Sequence, residues 1–300
     1  MTDLLNQFDL YDDLDDLDQL VQEQPCIGCG GAVDREVLGP DGRVRVPRTV
    51  EAPYRYICNI EYRFPQGTRA MCSGTLIGPR SMLTAGHCVV GRSKTGFTVT
   101  PGRDLKNRPF SAARSVDFKV FPGFQEATRT DLAVITLDRA IGGRAGWWST
   151  AYRRTKDDPI GTSFLQGGLP IPVGGGRVNV SGYPADKPNG AGCVSRTGSP
   201  RRCRISSLFD KGRSVACGTE PWRSYDRLVA RRAGLLEYIS DTCPGHSGSP
   251  VWIRRHPSKG GRVLVAVHVA GDDSLPGTAV ANRGVELTAE VRRWIASCVR

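Results

Sequence analysis

Absences narrow the field first. No apolar run in the chain approaches the length needed to cross a bilayer, so no helical membrane span is expected. The opening Met-Thr-Asp-Leu-Leu-Asn-Gln has neither the basic start nor the apolar core of a secretory signal. Cys26-Ile27-Gly28-Cys29 is a CxxC, but no second CxxC and no His-x₃-His completes a zinc site, and a thioredoxin-like use would need a βαβ setting that is missing. No nucleic-acid-binding motif is present, and aromatics do not alternate tightly with Lys or Arg, so specific nucleic-acid binding is not expected.

Bases are nearly missing from the first 35 residues, which hold nine acids (Asp3, Asp9, Asp12, Asp13, Asp15, Asp16, Asp18, Glu23 and Asp34) against Arg35 alone. The remaining chain keeps 40 bases against 21 acids, a net of about +19 where the whole sequence shows +11. A body that basic attracts anionic surfaces or acidic peptides over long range, and its plain reading is a solvated basic surface. Within residues 1–24, Leu10, Leu14, Leu17 and Val21 recur at helical spacing among aspartates. Residues 1–35 therefore read either as a disordered acidic tail or as an acidic pro-segment that docks on the basic body.

What is abundant points to β-structure. Thirty-six glycines and 20 prolines, with short apolar runs between them, suit an all-β protein of many turns. Ten cysteines, an even number, favour disulfides and an oxidising compartment. The expected destination is extracellular, with the export route left open by the missing signal. Cys72 and Cys88 are spaced to close a hairpin, Cys193 and Cys203 to close a basic loop, and Cys217 is a candidate partner for Cys243. Strands are expected at Tyr54–Ile60, through 98–121, at Val178–Pro184 and at Val263–Val269; Thr288 is an N-cap for a closing helix carrying Leu287, Val291, Trp294, Ile295 and Cys298. Asn179-Val180-Ser181 is a glycosylation sequon, but its place in a strand argues against use.

The chemistry gathers on Asp241-Thr242-Cys243-Pro244-Gly245-His246-Ser247-Gly248-Ser249-Pro250. Glycines on both sides of a serine let the backbone turn tightly and approach a substrate. In such a turn the amides of Gly245 and Ser247 can converge as an oxyanion hole beside the Ser247 hydroxyl. A hydroxyl nucleophile needs a base and the base an orienter. His87, in Thr84-Ala85-Gly86-His87-Cys88, is the candidate base, and Asp131, opening the apolar run Leu132–Leu137, is the candidate orienter. Asp117 and Asp138 compete for that role but look like ordinary turn or strand-end carboxylates. His268, within an apolar strand, reads by itself as a core histidine.

These segments resemble the chymotrypsin-like serine proteases, whose order is also His, Asp, Ser. The similarity extends to the glutamyl endopeptidase branch of bacteria through Val37–Gly39, Pro53–Arg55, Thr100–Arg103, Ser181–Pro184 with Asp186-Lys187, Ala266–His268 and Asn282–Gly284. The resemblance implies two packed six-stranded antiparallel β-barrels, at about 36–160 and 161–285, and a C-terminal helix at about 286–298. It implies Ser247 as nucleophile, His87 as general base, Asp131 as its orienter, and Thr242 with His268 as the lining of a pocket for a glutamate before the cut. Removal of residues 1–35 at Arg35–Glu36 follows from the same resemblance. Protein or peptide substrates, a monomer and no metal or organic cofactor are expected. Two departures stand out: His246 occupies a position where asparagine, glutamine or aspartate is usual, and Cys243 has no obvious partner after His268. Asp241 stands where trypsin-like enzymes carry their pocket aspartate, so cleavage after Arg or Lys is the alternative. An inactive protease-like module that binds anionic partners is the alternative from outside enzymes.

Overall fold

The computed structural model describes residues 41–63, 69–149, 153–155, 158–164, 172–185, 187, 208–210, 213–215, 218–255, 261–271 and 281–300. The acidic segment 1–35, the Cys26/Cys29 pair, the Cys193–Cys203 loop and Cys217 lie outside them. A short first strand, β1 (Val44–Arg45), precedes β2 (Ile57–Arg63), β3 (Arg69–Leu76), β4 (Ser81–Thr84), β5 (Phe97–Pro101), β6 (Ala113–Val120) and β7 (Ala133–Leu137). Strands β2 to β7 close on one another in the order β2-β3-β4-β7-β6-β5. Closure removes the free edges that an open sheet exposes. Alternation drives it: in β6 the burial pattern flips residue by residue at its start, whereas β7, Ala-Val-Ile-Thr-Leu, is buried throughout. The expected strand at Tyr54–Ile60 begins later than its sequence suggests, because Tyr54–Tyr56 is a 3₁₀ turn leading into β2.

After a one-turn helix, α1 (Gly142–Ala145), come β8 (Arg153–Thr155), β9 (Asp158–Phe164), β10 (Arg177–Gly182), β11 (Leu208–Asp210) and β12 (Arg213–Val215). The chain continues through β13 (Trp222–Arg232), β14 (Leu235–Tyr238), β15 (Pro250–Arg254), β16 (Arg262–Ala270) and β17 (Asn282–Glu286). Here β15-β10-β13-β14-β17-β16 forms the ring, and the β15–β16 pairing closes it. β9 adds to the outside of β16 in parallel, and β1 pairs with β13. The molecule is thus two closed six-stranded barrels.

The C-terminal helix α2 (Ala289–Cys298) starts at Thr288, whose hydroxyl accepts the Val291 amide at 3.3 Å. Val291, Ile295 and Cys298 face inward and join the buried cluster that fills the first barrel, and Trp294 meets Phe121 edge to face. Trp252 of β15 packs against Trp148 and Tyr54, so the apolar seam runs across the two barrels. Polar ties cross it too: Asn59 Nδ2 donates to the Gly218 carbonyl at 2.9 Å and the Tyr183 hydroxyl to the Arg103 carbonyl at 3.1 Å. Among the described residues no helix is long and apolar enough to cross a membrane. Asn179 lies in β10 and is 5% exposed, a burial that leaves no room for a glycan.

Candidate active site

The first barrel contributes a histidine and a buried carboxylate. His87 sits in a 3₁₀ turn, Gly86–Cys88, directly after β4, and Asp131 lies two residues before β7, which pairs with β4. Pairing of those strands brings the residues together. The Asp131 Oδ2 is 2.8 Å from His87 Nδ1, and its Oδ1 accepts the His87 amide at 2.9 Å. The Ala127 amide donates to Oδ2 at 2.8 Å, so the fully buried carboxylate is held by three donors. An ionised carboxylate only accepts, so Nδ1 carries the proton and the lone pair is left on Nε2. The His87 side chain is 19% exposed, open enough to meet a substrate. Asp117 pairs instead with Lys94, and Asp138 accepts the Arg114 amide at a strand end.

The disulfide Cys72–Cys88 joins β3 to the residue after His87. Its Cys88 Sγ lies 3.7 Å from the Ser247 carbonyl oxygen, which also accepts the Ser73 amide at 2.8 Å. Ser247 of the second barrel is thereby fastened to the neighbourhood of His87. Sequence reasoning missed Ser73. Its hydroxyl donates to the Gly245 carbonyl at 2.7 Å and accepts the Tyr183 amide at 2.8 Å, so one first-barrel residue grips the loop at two carbonyls. Nothing local in Cys72-Ser73-Gly74 signals a contact 172 residues away.

Within the loop, hydrogen bonds account for some amides and not for others. The His246 amide donates to Cys243, the Gly248 amide to His268 and the Ser249 amide to His246, at 2.7–2.9 Å. Among the described residues, the amides of Gly245 and Ser247 donate to no acceptor. Two such donors in one tight turn are the requirement for holding a developing negative charge. The turn itself demands glycine: Gly245 has φ +100° and Gly248 φ +86°, and a Cβ on either would strike the backbone of Tyr183 or Ser73.

The pocket candidates lie deeper. Thr242 is fully buried and its hydroxyl donates to Asn282 Oδ1 at 3.0 Å, while Asn282 Nδ2 donates to the Ser240 carbonyl at 2.8 Å. His268 is buried with Nδ1 2.8 Å from the Tyr238 hydroxyl. Tyr238 and Asn282 face each other across β14 and β17, so both pairs belong to one polar end of the barrel. Tyr238 was not singled out from sequence; as a strand aromatic it carries no local mark of its role. Burial, with smaller contributions from His246 and His87, pushes His268 down to about 3. It is neutral across the ordinary pH range. Asp241 is buried and its Oδ2 accepts the Gly42 amide at 2.7 Å. That amide belongs to the segment before β1, where Asp41 and Arg43 pair and Lys187 joins at 3.4 Å.

A group of Cys72, His87 and Cys88 also lies close enough to suggest a metal site. Its two sulfurs are bonded to each other, so neither is the thiolate that a metal would need. Cys243 is likewise disulfide-bonded, with its partner outside the described residues, whereas Cys58 and Cys298 are free and buried.

Comparison with known proteins agrees with this fold. The sequence profile of the trypsin family matches residues 47–295. The chain is 28% identical to a glutamyl endopeptidase of Bacillus licheniformis over 86% of its own length and 67% of the relative's. It is 28% identical to a Bacillus subtilis protein named extracellular metalloprotease, over 82% of this chain and 66% of that one. Among solved structures, a Glu endopeptidase in complex with MPD superposes with a TM-score of 0.60 at 27% identity, covering 87% of this chain and 98% of the other. The chain is therefore a member of the trypsin family of serine proteases, with the chymotrypsin-like fold and its likeness to glutamyl endopeptidases.

Proposed function

We propose that the protein is an endopeptidase in which Ser247 is the nucleophile, His87 the general base and Asp131 the residue that orients it. The observation that carries this reading is the His87 Nδ1–Asp131 Oδ2 hydrogen bond of 2.8 Å beside a loop whose Gly245 and Ser247 amides lack acceptors among the described residues. In the reaction, Ser247 Oγ attacks the scissile carbonyl while His87 Nε2 takes its proton. The carbonyl oxygen becomes an oxyanion facing the two amides. Asp131 stabilises the imidazolium that forms. His87 then gives the proton to the leaving amine, and water repeats the cycle on the acyl-enzyme.

We further propose cleavage after glutamate. Tyr238, donating to Nδ1, leaves the proton of His268 on Nε2, a donor suited to a substrate carboxylate. The Thr242 hydroxyl would supply a second donor by turning away from Asn282. Asp241 supports this reading over Arg/Lys specificity, because its carboxylate is buried and engaged by the Gly42 amide. The enzyme is read as extracellular and made with residues 1–35 as an acidic pro-segment, consistent with its cysteine content.

The test is mass-spectrometric profiling of a peptide library with the active protein and a Ser247→Ala control. Cuts after Glu that vanish in the control are expected. Ser247-dependent cuts after Arg or Lys would keep the mechanism and overturn the pocket. A folded protein with no Ser247-dependent cutting would favour the anion-binding module instead. Amino-terminal sequencing of the active species should find Glu36, and activity in protein still beginning at Met1 would sink the pro-segment reading.

A further inference from the structure

Within the loop that carries Ser247, one side chain is placed to hold the loop in shape. His246 is 1% exposed and precedes the nucleophile. Its Nδ1 accepts the Cys243 amide at 3.0 Å, and its own amide donates back to the Cys243 carbonyl at 2.9 Å. Its carbonyl accepts the Ser249 amide at 2.8 Å. These three bonds close the turn on both sides of Gly245 and Ser247, the residues whose amides are left pointing elsewhere. We infer that His246 is a positioning residue for the oxyanion loop, acting through Nδ1 as a hydrogen-bond acceptor for the Cys243 amide. The inference rests on the proposed role of Ser247 and the two amides.

The chemistry of the surroundings fits an acceptor and not a charged group. Accepting at Nδ1 requires a lone pair there, so the ring is neutral with its proton on Nε2. Nε2 is buried beside the Trp222 backbone. Arg43, Asp41 and His268 are the titratable groups facing the ring. Burial, then the Arg43 guanidinium, pushes His246 down to about 3. A ring in this state has no charge with which to bind an ammonium, so the loop is shaped by a neutral hydrogen bond inside the turn. An asparagine places its Oδ1 where Nδ1 lies and offers the same acceptor, whereas leucine and methionine offer bulk alone.

The test compares His246→Asn, His246→Met and His246→Leu with the unaltered protein in steady-state kinetics, and measures amide hydrogen exchange across 243–249 in each. Expected is a kcat loss of about 10²-fold or more for His246→Leu at nearly constant KM, the scale of a displaced oxyanion donor. His246→Asn should recover to within about tenfold of the parent, with parent-like exchange, and His246→Met should fall with Leu, on the same scale. If His246→Leu does not fold, the Asn–Met contrast decides: equal kcat and equal exchange in those two would overturn the inference. So would a folded His246→Leu with parental kcat and exchange. The exchange measurement does not require turnover, so loss of all Ser247-dependent cutting would count against the proposed function and leave the loop clamp to be judged on exchange.

Discussion

The first barrel fills its interior with Ile60, Tyr62, Leu83, Phe97 and Ile135, and its Tyr62–Phe97 rings pack 5.0 Å apart. The second surrounds a smaller aliphatic cluster, Val178, Val180, Leu228, Leu236, Val251 and Val265, with buried polar side chains at one end: Ser240, Asp241, Thr242, His246, His268 and Asn282. Strand number and closure are the same, so the difference lies in what is buried. The larger apolar cluster of the first barrel, stapled by Cys72–Cys88 and flanked by buried polar groups such as Asn59, Ser73 and Thr84, is suited to holding the His87–Asp131 pair in one geometry. The buried polar groups at that end of the second barrel, each of which needs a partner, tie local chemistry to the shape of the loop and pocket. Changes at the His87–Asp131 pair and at Ser247 and its loop should therefore act on rate, loss of the staple on global stability, and changes at the polar end of the second barrel, around Thr242, Tyr238 and His268, on selectivity and acid tolerance.

The largest effects test whether both barrels are needed at once. Ser247→Ala should lower kcat by about 10⁶-fold, and Asp131→Asn, which supplies a donor where His87 Nδ1 needs an acceptor, by about 10⁴-fold. Pre-steady-state and steady-state rates on one peptide substrate check both. A loss under tenfold for Asp131→Asn would remove the first barrel from the chemistry and break the comparison. Next comes the staple. Replacing both Cys72 and Cys88 by alanine frees a loop of sequence separation 16. Denaturant unfolding should show a loss of about 3 kcal/mol, the entropy of closing a loop of that size.

Acid should single out the second barrel. His246 and His268 both titrate near 3 in the folded protein, against an ordinary value of 6.5. Between those values the unfolded chain binds protons that the folded chain does not, so stability rises with pH there and falls on acidification. Below pH 6.5 each histidine should cost up to about 1.4 kcal/mol per pH unit as the unfolded form becomes protonated. The melting temperature, followed from pH 7 to 4, should drop steeply, and His268→Gln should reduce the slope. A slope unchanged by that substitution would place the acid sensitivity elsewhere.

How much of this was legible in the sequence differs between the barrels in the same way. Strand alternation, glycine-bounded turns and the segments around His87, Asp131 and Ser247 are local patterns, and the all-β class, the closing helix and the Cys72–Cys88 bond follow from them, while the two six-stranded barrels came with the family resemblance that those segments carry. Ser73, Tyr238, Asn282 and the Gly42–Asp241 contact are not local. Each acts on a partner 30 to 199 residues away, through a hydrogen bond that only the closed barrels create. The start of β2 was misplaced because aromatic, β-prone text at Tyr54–Tyr56 forms a 3₁₀ turn, with Tyr56 packed edge to face on Trp148. Tertiary packing overrode propensity there.

The smallest effect asks whether selectivity in the second barrel depends on one hydroxyl. Tyr238→Phe keeps the ring in the barrel and removes only the group 2.8 Å from His268 Nδ1. Burial is preserved, so the fold should survive with a modest loss of stability. Without the hydroxyl, the bond that holds Nδ1 as an acceptor is lost, and the part of the population that carries its proton on Nδ1 presents a lone pair to a glutamate carboxylate. Losing a buried neutral hydrogen bond costs about 1–1.5 kcal/mol, which corresponds to roughly tenfold in KM for Glu-containing peptides. The kcat should change by less than about threefold, because the bond does not touch the reacting atoms. An equal fall in kcat with KM unchanged would move Tyr238 from the pocket to the chemistry, and the division of labour between the barrels would fail at that residue.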